Sequence, residues 1–361
     1  MKPAVEPIRA ALLTWYRANR RDLPWRRTRD PYAIWLSEAM LQQTRVETVI
    51  PYWERFLERF PDVATLAAAD QDDVLGLWAG LGYYSRARNL HRAAQEVVAR
   101  HGGTLPSDVA SLRELPGVGR YTAGAVASIA FDLPEPVVDG NVIRVLSRLR
   151  GIRDDVGSPA ILARIWDDAG ELARGAAPGD LNQALMELGA TVCLPRAPRC
   201  AGCPVARHCD ARSAGDAEQL PVKAPRSKPR RVEGVVAWVV RRGRVLAVRR
   251  PERGLLGGLW DLPGGDLAER EKPVVGVVRA LADRVGLATE ALRSVGAVEH
   301  MFTHRALRLH VFAGEVRAGR VHREGYDAHR WVGTAGFREL PHGAVTGKAL
   351  RLLRESGACS S

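Results

Sequence analysis

Four cysteines, Cys193, Cys200, Cys203 and Cys209, fall within seventeen residues in the spacing C-x6-C-x2-C-x5-C. A loop that gathers four thiols can close around one soft metal centre, and it then ties down the chain on either side. The fifth cysteine, Cys359, stands apart near the C-terminus. A disulfide framework is out of place in a 361-residue chain, which can bury a large apolar core without covalent staples. Zinc and a [4Fe–4S] cluster both accept four thiolates. The six-residue first gap is wider than the roughly two to four residues usual between zinc ligands. The spacing therefore favours the cluster and leaves zinc open.

Lys and Arg total 53 against 41 Asp and Glu, a formal net charge of +12. An excess of this size favours a polyanionic partner, of which nucleic acid is the commonest; an incidental arginine bias is the plainer alternative. No apolar run approaches the length of a membrane span, and the opening Met1-Lys2-Pro3-Ala4-Val5-Glu6 lacks an apolar signal region. These features predict a protein of the reducing cytoplasm with no membrane partner. The length suits two or three domains.

From residue 7 to about 192 the pattern is helical. Apolar residues recur at three and four in Ile8, Leu12, Leu13 and Tyr16, and again in Ile50, Trp53, Phe56 and Leu57. Residues 213–232 read as a linker, basic in its second half through Lys223, Arg226, Lys228, Arg230 and Arg231. At Val232 the period changes. Two β-rich runs, 235–240 and 245–248, flank Arg241-Arg242-Gly243-Arg244 and predict a hairpin. Further strands are expected over 295–300, 307–312 and 331–332, with helices over 277–285 and 346–355. The predicted architecture is multidomain: an all-α domain 1–212 including the cysteine loop 193–209, the linker 213–232, an α+β domain 233–356 and a tail 357–361.

Between the helical stretches 108–114 and 121–130 lies Leu115-Pro116-Gly117-Val118-Gly119. Pro116 stops the first helix, and the glycines allow a tight turn that presents backbone N–H groups at the start of the second. Free amides at a helix N-terminus hold a phosphate without reading sequence. In a basic chain this predicts a helix-hairpin-helix element, with Gly117 and Gly119 against a nucleic-acid backbone. Glu38 follows Ile34 by four residues and precedes Leu41 by three, so a helix puts it on their apolar face. A carboxyl there loses solvent and its proton affinity rises, which suits general-acid work. Asp139 precedes the helical stretch 141–150 as its cap, where the helix-end amides favour the ionised form. One protonated and one ionised carboxyl make the pair that glycosidic-bond cleavage uses.

The run Ser37-Glu38-Ala39-Met40-Leu41-Gln42-Gln43-Thr44 stands beside Leu23-Pro24-Trp25-Arg26 and Gly80-Leu81-Gly82-Tyr83-Tyr84-Ser85-Arg86-Ala87-Arg88. To these add 115–123, Val138-Asp139-Gly140-Asn141, 182–189 and the four cysteines. Together they resemble the helix-hairpin-helix DNA glycosylases, and within them the MutY family of adenine DNA glycosylases. The resemblance implies a [4Fe–4S] cluster on Cys193, Cys200, Cys203 and Cys209, rather than zinc, with a structural or DNA-sensing role. It implies base excision repair, with double-stranded DNA carrying adenine opposite 8-oxoguanine or guanine as substrate. It casts Glu38 as the acid that protonates adenine N7 and Asp139 as the carboxylate that stabilises the sugar cation, with Tyr121 and Asn141 positioning groups around it. Trp25, Arg26 and Gln183 are cast as the adenine pocket, and Leu41, Gln43 and Tyr83 as side chains that fill space in the duplex. Bifunctional glycosylases of this fold carry lysine directly after the PGVGR run, where this chain has Tyr121. A phenol forms no Schiff base, so a monofunctional enzyme that leaves an abasic site is expected. A monomer suffices, associated with the nucleoid in the cytoplasm.

Gly265-x5-Glu271-x7-Arg279 opens like the Nudix box G-x5-E-x7-R-E-U-x-E-E-x-G-U, where U is a bulky apolar residue. Ala280, Asp283 and Arg284 then stand where the box has glutamates. Those acids hold the Mg²⁺ of a diphosphatase, and one Asp cannot replace them. The α+β domain is therefore expected to be Nudix-like in shape without that chemistry. In the MutY family such a domain inspects 8-oxoguanine, and Phe302-Thr303-His304 matches the family's Phe-Ser-His loop. Threonine keeps the hydroxyl and adds a methyl, which leaves open how strongly 8-oxoguanine is preferred over guanine. Cys359, beside Ala358 and two terminal serines, reads as a thiol in a disordered tail.

Overall fold

Helical periodicity in the first half of the chain becomes a run of helices in a computed structural model that describes residues 5–224, 229–302, 304–322 and 324–359. They are α1 (Val5–Asn19), α2 (Pro31–Leu41), α3 (Val46–Arg59), α4 (Val63–Ala68), α5 (Gln71–Trp78), α6 (Ser85–His101), α7 (Val109–Glu114), α8 (Arg120–Phe131), α9 (Gly140–Leu149), α10 (Pro159–Ala173), α11 (Pro178–Thr191) and α12 (Asp210–Ala214). Their starts follow from local chemistry. The Asp30, Asp108 and Asp139 side chains accept from the N–H groups of Tyr32, Ser111 and Val142, and proline opens α2, α10 and α11. Ile8, Leu12 and Tyr16 of α1 pack with Val145 and Leu149 of α9 and with Leu181, Leu185 and Leu188 of α11. Each such side chain contributes about 1.5–3 kcal/mol on burial. Helix α2 is buried on all sides from Tyr32 to Met40, Glu38 included. No described helix is long and apolar enough to cross a membrane.

The chain packs as two compact units, one of Met1–Ala68 with Asn89–Arg226 and the other of Ala69–Arg88 with Ser227–Ser361. The sequence reading placed 69–88 wholly in the helical domain. Here the Tyr84 hydroxyl donates to the carbonyl of His342 (3.1 Å), and Arg88 donates to the carbonyls of Gly257 and Glu252. The segment is α5 and the start of α6 joined by a glycine-punctuated turn, and nothing local marks its partner.

The second unit is built on a mixed sheet of β1 (Arg230–Arg241), β2 (Arg244–Arg249), β3 (Trp260–Asp261), β4 (Gly264–Asp266), β5 (Ala288–Met301), β6 (Arg305–Ala318) and β7 (Ala328–Val332). The order is β3-β2-β1-β6-β5, with β4 paired to β1 and β7 to β2. Strands β1 and β6 run parallel, Val236 opposite Val311, and the other pairings are antiparallel. Alternate residues of β1 bury on opposite faces. Val235, Ala237 and Val239 meet α13 (Pro273–Val285), while Val236 and Trp238 meet α14 (Thr334–Glu339) and α15 (Ala344–Glu355). The hairpin turns at Arg242 (φ 51°) and Gly243 (φ 72°), the left-handed pair a two-residue turn needs.

Three expectations change. The linker 213–232 is shorter than read, since α12 reaches Ala214 and β1 begins at Arg230. Strands β5 and β6 extend well beyond 295–300 and 307–312, because long-range pairing carries them through stretches of weak local signal. Cys359 is not a loose tail thiol. Gly357 (φ 68°) turns the chain back at the end of α15, and Cys359 is buried in the core with Leu353 and Val345. In the Nudix-like frame, Glu271 is held by Arg279 (2.7 and 2.8 Å). Arg284 donates to the carbonyls of Gly264, Glu324 and Gly325 and lies over the Tyr326 ring, so a guanidinium knits together the loops around it.

Candidate active site

The fold of the first unit brings Glu38 of α2, Tyr121 of α8 and Asp139 and Asn141 at the start of α9 to the wall of one cavity of about 320 Å³. That is room for a single base rather than a duplex. Glu38 is 5% exposed, and its Oε2 accepts a hydrogen bond from the Tyr121 hydroxyl at 2.8 Å. Burial raises its pKa to about 7, Asp139 pushes the same way, and the Tyr121 hydrogen bond and Arg26 oppose. The carboxyl thus carries its proton for much of the time at neutral pH. Burial and the two carboxylates drive the Tyr121 phenol well above its ordinary range, so it remains a donor.

Asp139 caps α9 as expected, accepting from Val142 N–H at 2.7 Å and Asn141 Nδ2 at 2.8 Å. Its pKa is nevertheless raised: burial outweighs those donors and Arg144. The expectation that capping alone would hold it ionised was too simple. Asn141 is pinned in turn, because Arg144 Nη2 donates to its Oδ1 (2.9 Å) and to Gly189 O (2.7 Å). Arg144 Nε donates to the carbonyl of Cys193 (2.7 Å), so one guanidinium joins the cysteine loop to the amide that orients Asp139.

Trp25, Arg26 and Gln183 line the same cavity, as does Leu41 at the end of α2. The sequence reading missed Glu187, whose side chain is fully buried and accepts four hydrogen bonds, three from Arg21 and one from Arg26. Burial alone would raise its pKa, but the arginines outweigh it and hold it at about 2. Glu187 lies four residues after Gln183 on α11, a spacing that could have flagged it.

The other expected contacts fall into two groups. At the hairpin, Gly117 (φ 77°) requires glycine, since a Cβ would sit 2.6 Å from that of Asn89. Gly119 has an ordinary φ of −86° and open space beside it, and no side chain caps α8 there, so its amides are accessible to an anion. Gln43 (φ 59°) and Tyr83 (φ 49°) both hold left-handed backbone, a strain that non-glycine residues rarely carry. In the second unit a groove of about 1040 Å³ is lined by Tyr83, Tyr84, Leu256, Phe302, His304 and Arg305, among others. Phe302 N–H donates to Arg305 O (2.7 Å) and its ring meets His300 edge-on. Thr303 lies outside the described residues.

The four cysteines line one small cavity with Val192, Pro198, Ala206 and Arg148. No three His, Cys, Asp or Glu side chains among the described residues converge closely enough for a single ion. Four soft thiols lining one cavity are the donor type that an iron–sulfur cluster takes, one thiolate to each iron. The buried Arg148 guanidinium donates to Cys193 Sγ (3.3 Å) and to the carbonyls of Leu194 and Pro195, giving the loop a cationic brace. The donor set fits a [4Fe–4S] cluster.

Residues 36–167 match the HhH-GPD superfamily base excision DNA repair proteins, and residues 235–352 match the NUDIX domain. The adenine DNA glycosylase of Rattus norvegicus is 37% identical over 98% of this chain and 80% of its own length. That of Homo sapiens is 40% identical over 85% of this chain and 67% of its own, and that of Schizosaccharomyces pombe 34% over 85% and 81%. Among solved structures, a thermostable thymine-DNA glycosylase superposes with a TM-score of 0.54 at 29% identity, covering 58% of this chain and 97% of its own. With relatives this similar along most of its length, the chain belongs to the adenine DNA glycosylases, enzymes of base excision repair.

Proposed function

We propose that this glycosylase hydrolyses adenine from duplex DNA where it is mispaired with 8-oxoguanine or guanine, and that it leaves an abasic site without cutting the strand. The observation that carries the reading is the pair of buried carboxyls in one base-sized cavity, with Tyr121 where a lyase would need an amine. Extruding the adenine costs a few kcal/mol, least at a mispair. Glu38 gives its proton to adenine N7. The C1′–N9 bond breaks with its electron pair on the base, which leaves neutral. The Asp139 carboxylate offsets the positive charge on the sugar, and water adds to C1′ as its proton passes to Glu38. Tyr121 orients Glu38, and Asn141 orients Asp139.

The four cysteines would hold a [4Fe–4S] cluster, whose role would be to brace the loop or to sense DNA. The hairpin amides at Gly117 and Gly119 hold the backbone, Gln43 and Tyr83 replace lost stacking, and the loop 302–304 reads the oxidised base. The enzyme works as a monomer on the nucleoid in the cytoplasm.

An oligonucleotide panel tests the reading. Adenine opposite 8-oxoguanine, and more slowly adenine opposite guanine, should become alkali-labile, with no strand break before alkali. Excision of thymine opposite guanine instead would favour the activity named for the solved structural neighbour. A borohydride-trapped protein–DNA adduct would overturn the monofunctional assignment.

The pH profile follows from Glu38. Its acid form is the reactive one and its pKa is about 7, so single-turnover excision should fall towards ten-fold per pH unit above that value. A rate that climbs from pH 7 to 9 would contradict the role.

A further inference from the structure

Tyr83 presents a half-exposed ring from a loop of unusual backbone: Gly80 (φ 102°), Gly82 (φ 72°) and Tyr83 itself (φ 49°) are all left-handed. L side chains rarely adopt that conformation, so something must hold it. Three residues on, Arg86 is 8% exposed. Its Nη2 donates to the carbonyls of Leu81 (3.3 Å) and Gly82 (3.1 Å), and its backbone N–H donates to Tyr83 O (2.9 Å). Its guanidinium lies 5.3 Å from the ring centroid of buried Trp78 and 5.5 Å from that of Tyr83. Trp78 Nε1 donates to the same Gly82 carbonyl (3.1 Å).

Burying a guanidinium is costly, and desolvation lowers its pKa to about 10. An apolar side chain would fill the space against Trp78 at less cost. It could not bond the carbonyls of Leu81 and Gly82, nor attract the π-face of the Tyr83 ring.

Resting on the reading of Tyr83 as a side chain that enters the duplex, we propose that Arg86 is a positioning residue that holds the Tyr83 ring ready to insert and so sets the rate of adenine extrusion. Arg86 touches neither the base nor the sugar. It acts on the step before chemistry.

The test uses the full-length protein and a duplex with 2-aminopurine in place of the target adenine opposite 8-oxoguanine, whose fluorescence rises as the base leaves the stack. Arg86→Lys keeps the charge but loses the planar fork, and its fluorescence rise per active molecule should be about ten-fold slower. The pH profile of excision should be unchanged. Glu38→Gln, by contrast, should give the full rise with no excision. Tyr83→Ala should slow the rise at least as much as Arg86→Lys, and the double variant should be no slower than Tyr83→Ala alone.

A normal rise in Tyr83→Ala would sink the underlying reading of Tyr83. A slow rise in Tyr83→Ala with a normal one in Arg86→Lys would sink only the role of Arg86, as would strictly additive effects. If Arg86→Lys merely lowers the folded fraction, the rate per active molecule stays at the wild-type value and the proposal fails. If Arg86→Lys does not fold, Arg86→Gln, which keeps amide donors for the loop, replaces it. Failure of both to fold would make Arg86 a structural residue only.

Discussion

Glu38→Gln should lower single-turnover adenine excision by about 10³-fold or more while leaving DNA affinity within about three-fold. Glutamine keeps the size of the side chain and can still accept from the Tyr121 hydroxyl, which now sits 2.8 Å from the carboxyl. What it lacks is a proton acidic enough for adenine N7. The same substitution should make the protein more stable at alkaline pH. Glu38 titrates near 4.5 in the unfolded chain and at about 7 in the fold. Below 4.5 both states are protonated and burying the group costs no charge. As pH rises towards 7 the unfolded chain ionises first, so the fold loses stability, by about 3 kcal/mol in all once the folded group has also ionised. Glutamine has no such loss. Thermal midpoints of the two proteins should therefore agree near pH 4 and separate by pH 8 in favour of the variant. Full excision by Glu38→Gln, or a less stable variant at pH 8, would remove Glu38 from the role.

Much of this site was legible because its residues announce themselves locally. Glu38 stands at helical spacing from Ile34 and Leu41, Asp139 stands at a cap, and the glycines of the hairpin mark a turn whatever surrounds them. What was not legible depends on partners far along the chain. Glu187 reads as one more polar residue on α11 until Arg21 and Arg26 converge on it from about 160 positions away. Residues 69–88 read as helix, glycine turn and helix whichever unit they pack with, and long-range contacts such as those of Tyr84, Arg88 and Asp72 decide it. Cys359 looked solvent-exposed because its neighbours are small and polar. A turn at Gly357 reversed that, and such a turn is invisible when the residues it folds back on are unknown. The direction of the Asp139 shift was misjudged for a related reason: capping is local and burial is not.

Asp139→Asn should cost about 10³-fold in excision and little in folding, and the contrast isolates charge from shape. A carboxylate about 4 Å from a full positive charge, at an effective dielectric near 20, contributes about 4 kcal/mol, which is close to 10³ in rate. Asparagine caps a helix as well as aspartate does, so the bond from Val142 N–H (2.7 Å) can be kept. One local conflict remains. Arg144 fixes Asn141 with its Oδ1 accepting, so Asn141 Nδ2 points at Asp139 Oδ2, and an amide nitrogen there would face another donor. Losing that one hydrogen bond costs about 1–3 kcal/mol of stability, so the thermal midpoint should fall by only several degrees. The variant also removes a negative charge that raises the pKa of Glu38. Whatever excision survives should then decline at a lower pH than in the wild type, because Glu38 gives up its proton earlier. A residual rate within ten-fold of wild type would show that Asp139 does not bear the sugar's charge. A large loss with the alkaline limb unmoved would show instead that the two carboxyls do not sense each other, and the shared-site mechanism would have to be abandoned.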